Sequence, residues 1–221
     1  MRRYDRPMIA AAIALSALAG FIDALAFLDL KGFFVSFMSG NSTRLGAALA
    51  GRNYAAAGTA GSLIGCFVLG VVIASLMGHR AGAHRKPAVL SLVTVTLFVS
   101  AALASSGAHH FAVLLLAFAM GAENKVFARE GEVAIGLTYM TGTLVRAGQH
   151  FAQFLLRREG WEWVSHVLLW AGFLAGVMLG ARSYAALGLG ALWIAASASA
   201  GLSGVVLLLV RRGQSPRRSG L

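Results

Sequence analysis

Charge is scarce in this chain, and acidic charge scarcest of all. Charged residues fill 12% of its 221 positions, against roughly 25% in soluble globular proteins. Eight are Asp or Glu and nineteen are Lys or Arg. Proline occurs three times, so long helices run with few interruptions. Cysteine occurs once, at Cys66 in an apolar stretch. That excludes an intrachain disulfide and a cysteine zinc site, and Cys66 reads as packing. The histidines form no ligand spacing. His79 and His84 lie in a basic loop, His109 and His110 are adjacent in a short turn, and His150 and His166 stand alone. There is no His-x-x-x-His, Cys-x-x-Cys, Gly-x-Ser-x-Gly, phosphate loop or dinucleotide fingerprint. No metal, cofactor or catalytic residue is expected, and the chain does not read as an enzyme.

What is abundant is apolar. Hydrophobic residues make up 58% of the chain, mean hydropathy is +0.74, and glycine occurs 27 times. A span needs about 20 apolar residues for a hydrocarbon core of roughly 30 Å. Six segments qualify: 8–29, 56–78, 88–105, 109–128, 164–183 and 187–210. The expected fold is an all-α polytopic membrane protein forming a single membrane domain with a basic tail at 211–221. The N-terminus has the basic residues and apolar run of a signal peptide, but the run continues to Leu28 and further spans follow, so a retained first helix is expected. A net charge of +11 would suggest nucleic acid in a soluble protein. Here the basic residues sit in short loops and tails, so the partner is the lipid bilayer and no nucleic acid is expected.

Two segments, 33–50 and 133–156, are rich in small and polar residues and carry the same motif. Met38-Ser39-Gly40-Asn41-Ser42-Thr43-Arg44-Leu45-Gly46 returns as Met140-Thr141-Gly142-Thr143-Leu144-Val145-Arg146-Ala147-Gly148, 102 residues later. The shared frame is Met-[Ser/Thr]-Gly-x-x-x-Arg-x-Gly. An arginine at a helix centre in lipid costs about 2.5–3.5 kcal/mol on insertion scales, so its recurrence points to a duplicated site. Other matches extend the repeat. Gly20-Phe21-Ile22-Asp23 aligns with Gly121-Ala122-Glu123-Asn124, and Phe67-Val68-Leu69-Gly70 with Phe173-Leu174-Ala175-Gly176. The repeats are 8–105 and 109–210.

The positive-inside rule selects a topology. If both motif segments enter and leave on one side, there are six spans with both ends cytoplasmic. Arg2, Arg3, Arg6, Arg80, Arg85, Lys86, Arg129, Arg157, Arg158, Arg211, Arg212, Arg217 and Arg218 then lie inside, and only Lys31, Arg52 and Arg182 outside. Arg44, Lys125 and Arg146 remain at membrane depth. Three spans per half make the second repeat inverted, a layout that recurs in transporters. The loop at 79–87 is then cytoplasmic and the turn at 105–110 external.

The Gly20-x-x-Asp23-Ala24 pattern, followed by Met38-Ser39-Gly40-Asn41 and then Gly121-x-x-Asn124, resembles the YoaK-like family of bacterial inner-membrane proteins, a group of unknown function. The resemblance covers almost the whole chain. It implies a bacterial inner-membrane location and this architecture, and no activity. Ser39 stands where the family carries Thr, Glu123 where it carries Gln, and Lys125 where it carries a small residue.

The site residues expected on a solute path are Asp23, Ser39, Gly40, Asn41, Arg44, Glu123, Asn124, Thr141, Gly142, Thr143 and Arg146. Ser39, Asn41, Ser42 and Thr43 are expected to cap a helix starting near residue 40, and Thr141 and Thr143 one near 142. Asp23 is expected to pair with a motif arginine, the alternative being proton coupling. Lys125 is near enough to Glu123 to offset its charge. Lys125, Arg129, Glu130 and Glu132 read as a solvated loop. The small-residue stripes Ala57/Gly61/Gly65 and Gly172/Gly176/Gly180 are expected to pack against each other or across a homodimer. Trp161, Trp163 and Trp170 read as interfacial anchors. The preferred function is transport or facilitated passage of a small polar, anionic solute. The alternative is a non-transporting membrane scaffold.

Overall fold

A computed structural model describes residues 6–126, 128–129, 132–133, 138–157 and 160–214. Eight α-helices lie among the described residues: α1 (Arg6–Asp29), α2 (Met38–Ala50), α3 (Tyr54–Ala81), α4 (Arg85–Ser105), α5 (His109–Glu123), α6 (Met140–Leu155), α7 (Glu162–Leu187) and α8 (Leu192–Gln214). A two-residue antiparallel ladder, β1 (Ala128–Arg129) with β2 (Glu132–Val133), lies between α5 and α6. Of the charges assigned to loops and tails, Arg2, Arg3, Glu130, Arg158, Arg217 and Arg218 fall outside the described residues.

The protein is an all-α polytopic membrane protein. Among the described residues, four stretches are long and apolar enough to cross a bilayer: Pro7–Asp29, Tyr54–Ala81, Arg85–Ser105 and Glu162–Arg211. The last is α7 and α8 joined by a 3-10 turn at Gly188–Ala191. The expected span at 109–128 is shorter than read. Helix α5 stops at Glu123, and the Asn124 side chain turns back to donate to the Met120 carbonyl (2.9 Å). Its 15 residues cover about 22 Å at ~1.5 Å per residue.

Helix faces in this chain are decided by close approach. Ile13, Ala17 and Phe21 of α1 meet Gly172, Gly176 and Gly180 of α7, so these two helices run parallel. A Cβ on Gly176 would fall on the Ala17 carbonyl oxygen, and one on Gly20 on the Phe173 carbonyl oxygen. The same crossing occurs between α3 and α5. A Cβ on Gly70 would fall on the Phe118 carbonyl oxygen, and one on Gly121 on that of Phe67. Every residue of the second crossing stands at the repeat offset from its counterpart in the first. Each half thus contributes its first helix to a crossing with the other half's third. The glycines remove the side chains that would hold two backbones apart in lipid.

Two further contacts orient the remaining helices. Thr94 bonds Ser199 (2.8 Å) and Ser203 (2.9 Å), while Ser105 accepts from Trp193 Nε1 (3.1 Å), so α4 and α8 are antiparallel. Lys86 Nζ reaches Met8 Sδ (3.8 Å), which brings the start of α4 to the start of α1. At the other end of α1, Tyr184 donates to Asp29 (3.1 Å).

The small-residue stripes separate in role. Gly172, Gly176 and Gly180 pack on α1, not on α3, whereas Gly61 and Gly65 meet nothing within 4 Å. α3 and α7 do not touch because α1 takes the glycine face of α7.

Candidate functional site

The first polar segment folds back beside α1. Gly32, at φ +110°, permits the reversal after the last turn of α1. Asp23 then accepts hydrogen bonds from the backbone N–H groups of Val35 and Ser36, both at 2.9 Å. Asp23 lies six residues before the end of α1, so the returning chain reaches about 9 Å below that end at ~1.5 Å per residue. Asn41 clamps the same segment, donating to the Phe34 carbonyl (2.6 Å) and accepting from its N–H (3.0 Å). In the second half, Asn124 stands where Asp23 does and Thr138 where Ser36 does. Their side chains bond each other at 2.9–3.0 Å. One polar latch therefore serves both halves.

These latches set where α2 and α6 begin. Both start two residues earlier than expected, at Met38 and Met140. Their N-cap residues are Phe37 and Tyr139, and neither N-terminus has a side-chain cap. The residues expected to cap point elsewhere: Ser42 donates to the Met38 carbonyl, Thr43 to that of Ser39 and Thr143 to that of Tyr139. A Cβ on Gly40 would strike the Phe37 ring and one on Gly142 the Tyr139 ring. Glycine is needed there because the aromatic N-cap folds over the first turn.

The two N-termini meet at one cavity of ≈ 460 Å³. Residues 36–39 line it from the first half, and residues 138–143 with Arg146 from the second. Phe67 and Val71 of α3 form the apolar wall, and Asn124 and Lys125 complete the lining. First-turn N–H groups without intrahelical partners carry partial positive charge. With Arg146 and Lys125, they make the cavity suited to an anion or an acceptor-rich neutral molecule.

Of the expected path residues, Ser39, Asn124, Thr141, Gly142, Thr143 and Arg146 reach this cavity. Asp23, Gly40, Asn41, Arg44 and Glu123 do not line it. The expected pairing of Asp23 with a motif arginine is replaced by its two backbone bonds. Arg44 lies instead over the Phe33 ring, 5.0 Å from its centroid, in the space left by Gly32. Glu123 is fully buried, and among the described residues neither of its carboxyl oxygens has a hydrogen-bond partner. Lys125 does not offset it, since among the described residues the two form no ion pair.

Residues 11–205 match the family described as "Protein of unknown function (DUF1275)". The chain belongs to this family. Among its relatives, the UPF0700 transmembrane protein RA0705 of Rhizobium meliloti (strain 1021) is 32% identical over 218 residues, covering 97% of this chain and 92% of that one. The UPF0700 transmembrane protein YoaK of Bacillus subtilis (strain 168) is 33% identical over 135 residues, covering 57% of this chain and 59% of that one. No solved structure matches. The YoaK-like resemblance read from the motifs is therefore correct, and the names of these relatives assign a membrane location without an activity.

In this DUF1275 chain, sequence reading missed Lys125, Phe67 and Val71 as cavity residues. Lys125 had carried a signal, as a base where the family has a small residue. It also missed a contact between histidines. His150 of α6 and His166 of α7 are not isolated but stack, with ring centroids 5.2 Å apart and planes 7° from parallel. Glu162 lies 4.0 Å from His150. The stack sits beside an aromatic cluster of Phe151, Phe154, Trp161 and Trp163, which pins the end of α6 to the start of α7.

These partners give a first prediction. Asp23→Asn keeps an acceptor oxygen for Val35 and Ser36, and is expected to cost at most about 1.5 kcal/mol. Arg44→Ala loses a ring contact worth about 0.5–2 kcal/mol. Because the two side chains have separate partners, the double variant should be additive to within about 0.5 kcal/mol. Thermal unfolding in detergent checks this, and rescue of Arg44→Ala by Asp23→Asn would contradict it.

Proposed function

We propose that this membrane protein is a transporter or channel-like facilitator for a small polar, anionic solute. The observation that carries the reading is the meeting of two uncapped helix N-termini, from the twin motifs, with Arg146 at one cavity. In this reading the first-turn N–H groups and Arg146 hold the solute, and Phe67 and Val71 form the wall it slides along.

The topology that goes with it is six spans in two inverted repeats, with α2 and α6 re-entrant. Two contacts support it. Antiparallel α4 and α8 favour the loss of one crossing at α6, and the approach of Lys86 to Met8 favours the loss of one at α2. The basic-residue count supports cytoplasmic termini, and the family resemblance supports placement in the bacterial inner membrane. We also propose that the chain is not an enzyme. Gly61 and Gly65 leave a flat strip on α3 that suits the close approach of a second copy.

The test is flux into liposomes containing the purified protein, against a panel of small anions and neutral solutes. Arg146→Ala is expected to lower anion flux by about tenfold or more, the loss of one charge-assisted hydrogen bond. Arg146→Lys keeps the charge but loses the planar fork, and should fall between. Arg44→Ala should change stability rather than flux. The scaffold reading has its own support, because Asp23 and Arg44 both serve the first loop and neither lines the cavity. It prevails if no solute moves and the Arg146 variants act only through lost expression.

A further inference from the structure

A second cavity, of ≈ 350 Å³, lies beyond the first. It sits where α3 ends and α4 begins, and is lined by Ser75, Gly78 and His79 on one side and Gly82 and Arg85 on the other. Lys125 is common to both cavities. Its ammonium makes no hydrogen bond or ion pair among the described residues, so its charge is left for what occupies them. No acidic residue lines either cavity among the described residues.

One face of α3 joins the two. Phe67 and Val71 face the central cavity, and Ser75 and His79 the second. These residues step by four, which keeps them on one side of a helix. Gly78 makes room for the Arg85 side chain at the mouth of this groove, and Gly82 leaves the turn beside it open. The other half has the same helix crossing without the groove. There Tyr184 stands in place of Gly78 and donates to Asp29, and buried Ala24 stands in place of Lys125. The two ends of the molecule therefore differ: the end holding Met8 and Lys86 is grooved and basic, and the end holding Asp29 and Tyr184 is filled.

We infer that a small soluble anion reaches the central cavity from the end of the α3–α4 turn, along a basic groove on α3, with Lys125 as the cation that hands it from one cavity to the other. The inference rests on the transport reading for its solute but not for its test. Lys125 attracts the anion from the outer cavity and remains within reach of it in the inner one. The groove supplies Arg85 and His79 at its mouth and ends at Arg146.

The experiment uses the full chain carrying Cys66→Ala, so that an introduced thiol is the only one. Ser75→Cys is reacted in sealed vesicles of neutral lipid with small anionic and cationic thiosulfonates, each rate divided by that on a free thiol. His84→Cys identifies the face of the α3–α4 turn. Reaction is expected from that face only, with the anionic reagent favoured on the order of tenfold by the local field. Lys125→Met should remove most of this preference and Lys125→Arg should keep it. Gly78→Tyr should slow both reagents. Elution as a single folded peak is required of each variant, and Lys125→Arg carries the test if Lys125→Met fails it, by preserving a preference that Lys125→Gln loses. Reaction from the opposite face, equal rates for the two reagents, or no response to loss of the lysine charge would overturn the inference. So would blockage by anionic lipid alone, which would make the groove a headgroup site. Groove reactivity without flux would sink only the transport reading, and flux with a silent Ser75→Cys only the groove.

Discussion

Gly176→Leu and Gly121→Leu should each remove most of the folded protein from the membrane. A side chain at either position falls on a backbone carbonyl of the crossing helix, Ala17 in one case and Phe67 in the other. A flexible neighbour could yield, but a helix backbone cannot move without its whole helix. Overpacking costs about 1–3 kcal/mol in a core that relaxes, and more where it does not. The same Leu at Gly61 or Gly65, where nothing lies within 4 Å, should leave the monomer's stability unchanged within about 0.5 kcal/mol. The fraction of protein eluting as a folded species from mild detergent, before and after a heat step, measures the contrast. Equal tolerance at Gly176 and Gly61 would mean that the α1–α7 crossing is not as close as described.

Glu123→Ile should act in the opposite direction and stabilise the protein. Its carboxyl is buried without a partner, and an unsatisfied buried polar group costs about 1–3 kcal/mol, more if charged. The first half already carries the substitution: Ile22 occupies the matching position on α1 and is fully buried. We expect a gain of about 1–3 kcal/mol for Glu123→Ile, with a smaller gain for Glu123→Gln, whose amide is also left unpaired. Thermal unfolding in detergent reads the gain, and liposome flux reads its consequence. A stabilised variant with unchanged flux makes Glu123 a passive burden. A stabilised variant that no longer moves solute makes it a working group kept at the expense of stability, as functional sites often are. A clear loss of stability would show that the carboxyl has a partner the fold conceals.

The two experiments bear on different halves of one design. The crossings repeat with near-identical chemistry, because each needs glycine at the same two points. The polar positions between them have diverged: Asp23 against Asn124, Ile22 against Glu123, Ala24 against Lys125, Gly78 against Tyr184. The frame is duplicated, and what fills it is not.

Residue types and spacing were enough to read the class and the family. Scarce charge, long apolar runs and a motif repeated at one interval are properties of the chain as a line. They also located six of the cavity's residues, because both polar segments were visible against an apolar background. They could not say which way a helical side chain points. These helices are apolar nearly all round, so no polar stripe marks an inner face, and the glycines that choose the face act only against a partner. That is why Asp23 was read as an ion-pair partner when it latches a loop, and why Arg44 and Arg146, alike in the motif, part company. Arg44 falls over Phe33 beside Gly32, while Arg146 opens on the cavity. Lys125 was read as loop charge because its neighbours in sequence are charged. Packing of α5 against α3 instead brings it to the wall between two cavities, a position defined by two helices at once and carried by neither alone.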